Sequence, residues 1–216
     1  MPDPRSSGPA FTVLIVCTGN ICRSAMAEQL GRAYLAEQLG GHTGAIELMS
    51  AGTQAVVDSA MHPDSALVLQ GYGAEPGDFR ARQLTDAIVA DADLTLTMTR
   101  GHRRDVLARA PRALARTFTV REAAALLELL GDDFQPAGAD LGERARNLVR
   151  ALADARSRRA ADDGDDVPDP IGRPIEAHAE AGELIVGALL PLLARIASLH
   201  AVPGRPIDKG SVLDAR

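Results

Sequence analysis

A short segment near the amino terminus carries the residue types of a nucleophile that handles phosphate. Residues 16–24 have the sequence Val-Cys-Thr-Gly-Asn-Ile-Cys-Arg-Ser, in which Arg23 follows Cys17 after five intervening residues. A cysteine thiolate is a strong nucleophile, and a guanidinium offers a planar fork of donors for two phosphate oxygens. Ser24 comes next, where its hydroxyl can stabilise the thiolate. The spacing predicts attack by Cys17 on a bound phosphoryl group.

The elements on either side of this segment predict the geometry that such chemistry needs. The apolar run 11–16 predicts a buried parallel strand, and the pattern over 23–39 predicts a helix. A loop between a strand and a helix N-terminus presents backbone N–H groups to a dianion. Arg23 is placed unfavourably against the helix dipole. An anionic ligand therefore explains this arginine better than a surface ion pair does.

The order of residues in the loop resembles a known family signature. Cys17-x-Gly19-Asn20-x-Cys22-Arg23-Ser24 is similar to the motif of low-molecular-weight protein tyrosine phosphatases and of the related arsenate reductases. Further segments in the family's order are 50–53, 80–84, 94–98 and 169–170, so the resemblance covers about residues 11–199. It implies an α/β three-layer sandwich with a four-stranded parallel sheet, a phosphocysteine intermediate, and no metal or cofactor.

The resemblance also implies roles for individual residues. Cys17 is the expected nucleophile and Arg23 the expected phosphate ligand. The remaining residues expected to bind the substrate are Thr18, Gly19, Asn20, Ile21, Cys22 and Ser24. Asp169 is the expected general acid, because Asp169-Pro170 follows the fourth predicted strand, where the family places its acid. The alternative for Asp169 is that it only forms an ordinary Asp-Pro turn. In that case Asp165 and Asp166 are the next candidates for the general acid.

The alternation of predicted strands and helices independently indicates a parallel sheet covered on both faces. We expect one domain over 11–200, with a disordered leader at 1–10 and a disordered tail at 201–216. The predicted strands are 11–16, 46–50, 94–99 and 114–120. The predicted helices are 23–39, 62–70, 84–90, 101–109, 121–130, 141–159 and 175–199.

Composition excludes several other classes of function. The net charge of -6 and the 3% aromatic content disfavour a nucleic-acid partner. Both cysteines lie in the loop, which excludes a secreted disulfide framework and predicts a cytoplasmic protein. The apolar run 184–197 contains Pro191 and Arg195 and predicts a buried helix rather than a membrane span. The five histidines show no metal-ligand spacing along the sequence.

The resemblance favours phosphotyrosine proteins as substrates, with a tyrosine kinase as a partner. Tyrosine phosphatases of the family commonly have Ile at the position of Ile21, whereas arginine phosphatases have Thr. Two family aromatics are absent, since Ile171 follows Asp169-Pro170 and residues 54–61 contain no aromatic. An arsenate reductase that uses an external small thiol, and a phosphoprotein-binding module without turnover, remain the alternatives. Cys22 is either a packing residue or a thiol that traps oxidised Cys17 as a disulfide.

Overall fold

Four parallel strands form the sheet that positions the loop. In the computed structural model, which describes residues 11–159 and 163–200, the sheet order is β2-β1-β3-β4. The strands are β1 (Phe11–Cys17), β2 (Ile46–Gly52), β3 (Leu94–Thr97) and β4 (Thr117–Thr119). The predicted parallel sheet is confirmed. The predicted leader and tail lie outside the described residues.

Helices cover both faces of the sheet. The helices of the described ranges are α1 (Arg23–Leu39), α2 (Pro63–Gly71), α3 (Asp86–Asp91), α4 (Arg100–Arg109), α5 (Val120–Leu130), α6 (Leu141–Ala155) and α7 (Ile175–Ser198). Successive side chains of a strand point to opposite faces. Val13 and Ile15 of β1 therefore belong to a core with α1, α2, α5, α6 and α7, whereas Leu14 and Val16 pack with α3 and α4. This confirms the three-layer sandwich.

The carboxyl-terminal helix α7 belongs to the core of the domain. By length and composition alone it could cross a membrane, and it is the one helix of the described residues that could. Its buried face, which includes Ile185, Leu189 and Leu192, packs against α1, α2 and α5. The prediction of a buried helix is therefore confirmed, and Pro191 lies inside the helix without ending it.

The predicted fourth strand, 114–120, was wrong at both ends. The chain forms a 3₁₀ helix at Pro111–Arg116, the strand is limited to Thr117–Thr119, and α5 begins at Val120. The hydroxyl of Thr117 donates to the carbonyl of Ala113 at 2.8 Å, which closes the helical turn directly before the strand. Strand propensity at 114–116 is overridden by this local turn.

The predicted helix 141–159 also ended too late. It stops at Ala155 and continues as a 3₁₀ turn at Arg156–Arg158. The guanidinium of Arg156 donates to the Leu114 carbonyl at 2.8 Å and lies 4.0 Å over the ring of Phe118. It also pairs with Glu122 at 3.0 Å. These contacts with the β4 region stabilise the tighter turn, and they are invisible in the helical pattern.

The end of β2 lies so close to the loop that only glycine fits there. β2 pairs with β1 so that Gly52 lies beside Cys17. A Cβ atom on Gly52 would lie 2.4 Å from the carbonyl oxygen of Thr18 and 2.9 Å from the Cα of Ala55. Both contacts are with backbone, which cannot yield easily. Gly52 therefore permits the close approach of β2 to the loop.

Candidate active site

The loop after β1 has its carbonyl groups bound by a neighbouring segment. Backbone N–H groups of residues 53–62 donate to four loop carbonyls. The pairs are Thr53 to Cys17 at 2.9 Å, Gln54 to Thr18 at 3.0 Å, Val56 to Gly19 at 3.0 Å and His62 to Ile21 at 2.8 Å. Among the described residues, the N–H groups of residues 18–22 donate to no protein group. The loop is thus a ring of free donors at the N-terminus of α1, as an anion site requires.

Cys17 is buried at the base of this loop, beside a hydroxyl that can donate to it. Its Sγ lies 2.9 Å from Oγ of Ser24, and both side chains are buried. The amide of Asn20 donates to the same Ser24 oxygen at 2.9 Å. Since that donation occupies a lone pair, the hydroxyl hydrogen of Ser24 is free to point at the sulfur. The Ser24 hydroxyl therefore lies where it can contact the sulfur of Cys17, as the sequence analysis expected.

Asn20 holds the loop in shape from inside. Its backbone has φ 55°, a left-handed conformation that asparagine tolerates better than most residues. Its amide donates to Ser50 Oγ at 2.7 Å, and its Oδ1 accepts the backbone N–H of Arg82 at 2.8 Å. Asn20 therefore joins the loop to the end of β2 and to the segment before α3.

The hydrogen-bond chain continues to a buried carboxylate that the sequence analysis missed. Ser50 donates to Glu28 of α1 at 2.5 Å, and Glu28 is buried. Arg32 lies 2.8 Å from Glu28 and Arg82 lies 3.6 Å away, so two cations compensate the buried charge. The available signal was Glu28 itself, a charged residue between the apolar residues of a predicted core helix.

Arg23 and Asp169 meet at the mouth of the loop. Arg23 is 3% exposed; its Nη2 lies 2.5 Å from Oδ2 of Asp169, and its Nη1 donates to the carbonyl of Val167 at 3.0 Å. Val167 is fixed in turn, because its N–H donates to the Met98 carbonyl at the end of β3. Nε of Arg23 is buried with no hydrogen-bond partner among the described residues. An oxyanion in the loop would supply that partner.

The neighbouring acidic residues have other partners. Asp165 forms a two-pronged ion pair with Arg159 at 2.6 and 2.9 Å. Asp166 accepts the backbone N–H of Arg100 at 2.7 Å, at the start of α4. Asp169 is half-exposed and reaches the arginine of the loop. Of the three candidates, Asp169 is thus the carboxyl group that the structure brings to Arg23.

His102 is a second residue that the sequence analysis did not identify. Its Nε2 lies 2.9 Å from the hydroxyl of Thr18 in the loop, and its Nδ1 lies 2.9 Å from the hydroxyl of Thr99. Burial and the nearby positive charge of Arg23 lower the pKa of His102 to about 4. The ring is neutral at pH 7 and positions Thr18 by a hydrogen bond. Its location directly after β3, at the carboxyl edge of the sheet, was the available signal.

Cys22 lies within the loop but has a different environment from Cys17. Both cysteines are free thiols. Burial raises the pKa of Cys22 to about 11, so this residue is a neutral thiol at pH 7. His62 and His178 lie beside it, and within the described residues these three side chains are the group that could hold a metal ion.

The comparisons with known proteins agree with this geometry. Residues 12–125 match the family model described as low molecular weight phosphotyrosine protein phosphatase. A low molecular weight protein-tyrosine-phosphatase of Streptomyces coelicolor is 32% identical over 189 residues, covering 86% of this chain and 93% of the relative. A protein-arginine-phosphatase of Geobacillus stearothermophilus is 33% identical over 146 residues, covering 67% and 92%. A crystal structure of a low molecular weight protein tyrosine phosphatase from T. tengcongensis has a TM-score of 0.60 and 28% identity, covering 86% and 98%.

Replacement of Asn20 tests whether its side chain maintains the loop. We expect Asn20→Ala to lower the free energy of unfolding by at least about 2 kcal/mol, since it leaves buried polar groups without partners and places alanine at positive φ. Asn20→Gly is the matched control, because glycine accepts this backbone conformation at no steric cost. Denaturant unfolding should show Asn20→Gly between wild type and Asn20→Ala. Wild-type stability in Asn20→Gly would contradict the role of the amide.

Proposed function

We propose that this chain, which belongs to the low molecular weight phosphotyrosine protein phosphatase family, hydrolyses phosphotyrosine in proteins through a phosphocysteine intermediate. The observation that carries the proposal is the arrangement of Cys17 and Arg23 around one loop. The sulfur of Cys17 contacts Ser24 at 2.9 Å, and the loop N–H groups and Nε of Arg23 have no protein partner among the described residues.

In the first step the thiolate of Cys17 attacks phosphorus while the loop holds the phosphoryl oxygens. The loop N–H groups and the Arg23 guanidinium stabilise the charge on these oxygens in the transition state. The bond from phosphorus to the leaving oxygen breaks opposite the sulfur. Asp169, whose side chain lies at the guanidinium of Arg23, acts in its protonated carboxylic-acid form and gives that proton to the leaving oxygen. The products are a phosphocysteine at Cys17 and the free phenol.

In the second step water hydrolyses the phosphocysteine. The carboxylate of Asp169, now deprotonated, accepts a proton from the attacking water, which is the reverse of its first role. Cys17 leaves as a thiolate, and the hydroxyl of Ser24 at 2.9 Å stabilises the charge that returns to sulfur.

The side chains at the rim of the loop are aliphatic. They would contact a flat apolar group of a substrate but would not provide aromatic stacking. A Cβ atom placed on Gly19 would meet Val56 Cγ2 at 3.7 Å and Ile21 Cγ1 at 3.5 Å, so both side chains border the loop. Ile171, next to the acid, is 50% exposed, and its N–H donates to Asp169 at 3.2 Å. A phenol ring at this rim would contact aliphatic side chains and would lack the stacking of about 0.5–1.5 kcal/mol that an aromatic pair provides.

A protein-arginine phosphatase is the second candidate, because a relative of that name covers two thirds of this chain. Ile21 favours tyrosine over arginine, since an aliphatic side chain offers no polar partner to a guanidinium. Arsenate reduction with an external thiol uses the same loop and stays an alternative. A binding module without turnover is the weakest alternative, because the nucleophile and the acid are both present. The tyrosine kinase partner and the cytoplasmic location remain predictions from the sequence.

The substrate assignment is tested with phosphopeptides that differ only in the phosphorylated residue. We expect kcat/KM for a phosphotyrosine peptide to exceed that for a phosphoarginine peptide by at least about 10-fold, and Cys17→Ser to release no phosphate. Ile21→Thr should reduce this preference, because threonine offers a hydroxyl in place of the ethyl branch of isoleucine. Thiol-dependent arsenate reduction is measured in parallel. Faster arginine dephosphorylation or turnover by Cys17→Ser would overturn the proposal.

The role of Asp169 is tested with aryl phosphates of rising phenol pKa. We expect Asp169→Asn to slow hydrolysis by about 10²–10⁴-fold for basic phenols and much less for a nitrophenol, which leaves without a proton. Asp166→Asn is the matched control, since Asp166 binds the Arg100 backbone rather than Arg23. An equal loss across the whole series in Asp169→Asn would show that this residue only orders its loop.

We also propose that Cys22 protects Cys17 during oxidation. Peroxide oxidises the Cys17 thiolate to a sulfenic acid, which condenses with the Cys22 thiol to a disulfide and water. A dithiol should then restore activity in wild type. After the same peroxide and dithiol treatment, Cys22→Ser should recover a smaller fraction of its starting activity than wild type does. A mass loss of two hydrogens without dimer formation identifies the bond, because the chain has no other cysteine. Equal recovery would make Cys22 a packing residue.

A further inference from the structure

Three potential metal ligands from distant parts of the chain meet behind the loop. Sγ of Cys22 and one ring nitrogen each of His62 and His178 lie within 4.8 Å of one another. Cys22 belongs to the loop, His62 precedes α2, and His178 lies in the first turn of α7. The two rings stack at a centroid distance of 4.8 Å and an angle of 20°. The sequence separation of these residues explains why no metal-ligand spacing is visible along the chain.

His178 carries a buried nitrogen that the protein leaves unsatisfied. The residue is 0% exposed. Its Nδ1 pairs with the hydroxyl of Ser65 at 2.8 Å, whereas its Nε2 has no hydrogen-bond partner among the described residues. The nearest charged group is Oδ2 of Asp64, 3.9 Å from Nε2. A buried polar atom without a partner is rare in native proteins and points to a ligand.

His62 and Asp64 complete the site on its solvent side. Nδ1 of His62 accepts the backbone N–H of Asp64 at 3.3 Å, where it caps α2. The other ring nitrogen, Nε2, is therefore the one available to a cation. The His62 side chain is partly exposed, which gives an ion a route from solvent. Asp64 Oδ2 lies 3.9 Å from both rings, and its charge together with a Cys22 thiolate balances a divalent ion.

We propose that Cys22, His62 and His178 form a binding site for a thiophilic divalent cation of the Zn²⁺ class. One thiolate and two neutral imidazoles are ligands that Zn²⁺ prefers, at about 2.3 Å for sulfur and 2.0–2.1 Å for nitrogen. The Cys22 thiol releases its proton to solvent as the sulfur–metal bond forms. Asp64 or water occupies the fourth position. The partly exposed His62 ring closes onto the ion, because the ligand atoms must move closer together than in the metal-free arrangement.

Such an ion would join the catalytic loop to the helices behind it. Cys22 directly precedes Arg23, and the backbone N–H of His62 already binds the Ile21 carbonyl at 2.8 Å. The metal would add bonds from the loop to α2 and α7. It would also hold Cys22 as a metal thiolate, which keeps this sulfur from reacting with Cys17.

The experiment uses Co²⁺ as a spectroscopic probe in the full-length Cys17→Ser protein. In this background Cys22 is the remaining cysteine, so a thiolate-to-cobalt charge-transfer band reports on Cys22 alone. We expect the band to appear with one equivalent of Co²⁺ and to be displaced by Zn²⁺. His62→Asn and His178→Asn should weaken Co²⁺ binding at least about 10-fold. The first keeps the acceptor that caps α2, and the second keeps a polar group facing Ser65.

A matched control separates this site from general histidine binding. His200→Asn should leave the Co²⁺ affinity unchanged, because α7 places His200 roughly 30 Å along the helix from His178. Circular dichroism shows whether each variant is folded. If replacement of the buried His178 prevents folding, His62→Asn still tests the site, because His62 is partly exposed. Absence of the band in folded Cys17→Ser, or unchanged affinity in folded His62→Asn, would overturn the proposal. The readout is independent of catalysis, so its failure leaves the phosphatase assignment intact.

Discussion

The hydrogen bonds to the carbonyls of the catalytic loop are the interactions on which the rest of the site depends. Backbone polar groups need partners when they are buried. The segment 53–62 satisfies the carbonyls of Cys17, Thr18, Gly19 and Ile21 from outside, and this leaves the N–H groups of the loop for a substrate. The fit of Gly52 against Thr18 allows that segment to approach. The phosphate site is therefore a consequence of where β2 and its following loop lie.

Buried charges set the chemical state of the groups around the nucleophile. Asp169 and the Val167 carbonyl accept hydrogen bonds from the Arg23 guanidinium. Burial and the positive charge of Arg23 lower the pKa of His102 to about 4, so its ring is neutral at pH 7. On the other side, Glu28 is buried and ionic partners compensate its charge. Hydrogen bonds and ion pairs thus hold Asn20, Arg23 and Glu28 around the loop, which favours a preorganised site for an anion.

The environment of Cys22 connects catalysis to oxidation and to metal binding. As a thiol with a pKa of about 11 it is unreactive at rest. Cys22 belongs to the same loop as Cys17, and its neighbours His62 and His178 offer two nitrogens to a cation. The two proposed fates exclude each other, because a sulfur bound to a metal cannot form a disulfide. Occupancy of the metal site would therefore decide whether oxidation of Cys17 is reversible.

The sequence by itself determined the fold class and the placement of Cys17 and Arg23 in one loop, because these follow from local patterns: an apolar strand, the fixed spacing of Cys17 and Arg23, and a helix start. It did not determine the ends of β4 and α6, where Arg156 and Thr117 make contacts that no periodicity reveals. Only the tertiary structure paired Asp169 with Arg23 and gathered Cys22, His62 and His178. Such contacts join residues up to 156 positions apart, and packing of α2 and α7 against each other and against α1 brings the cysteine and the two histidines together.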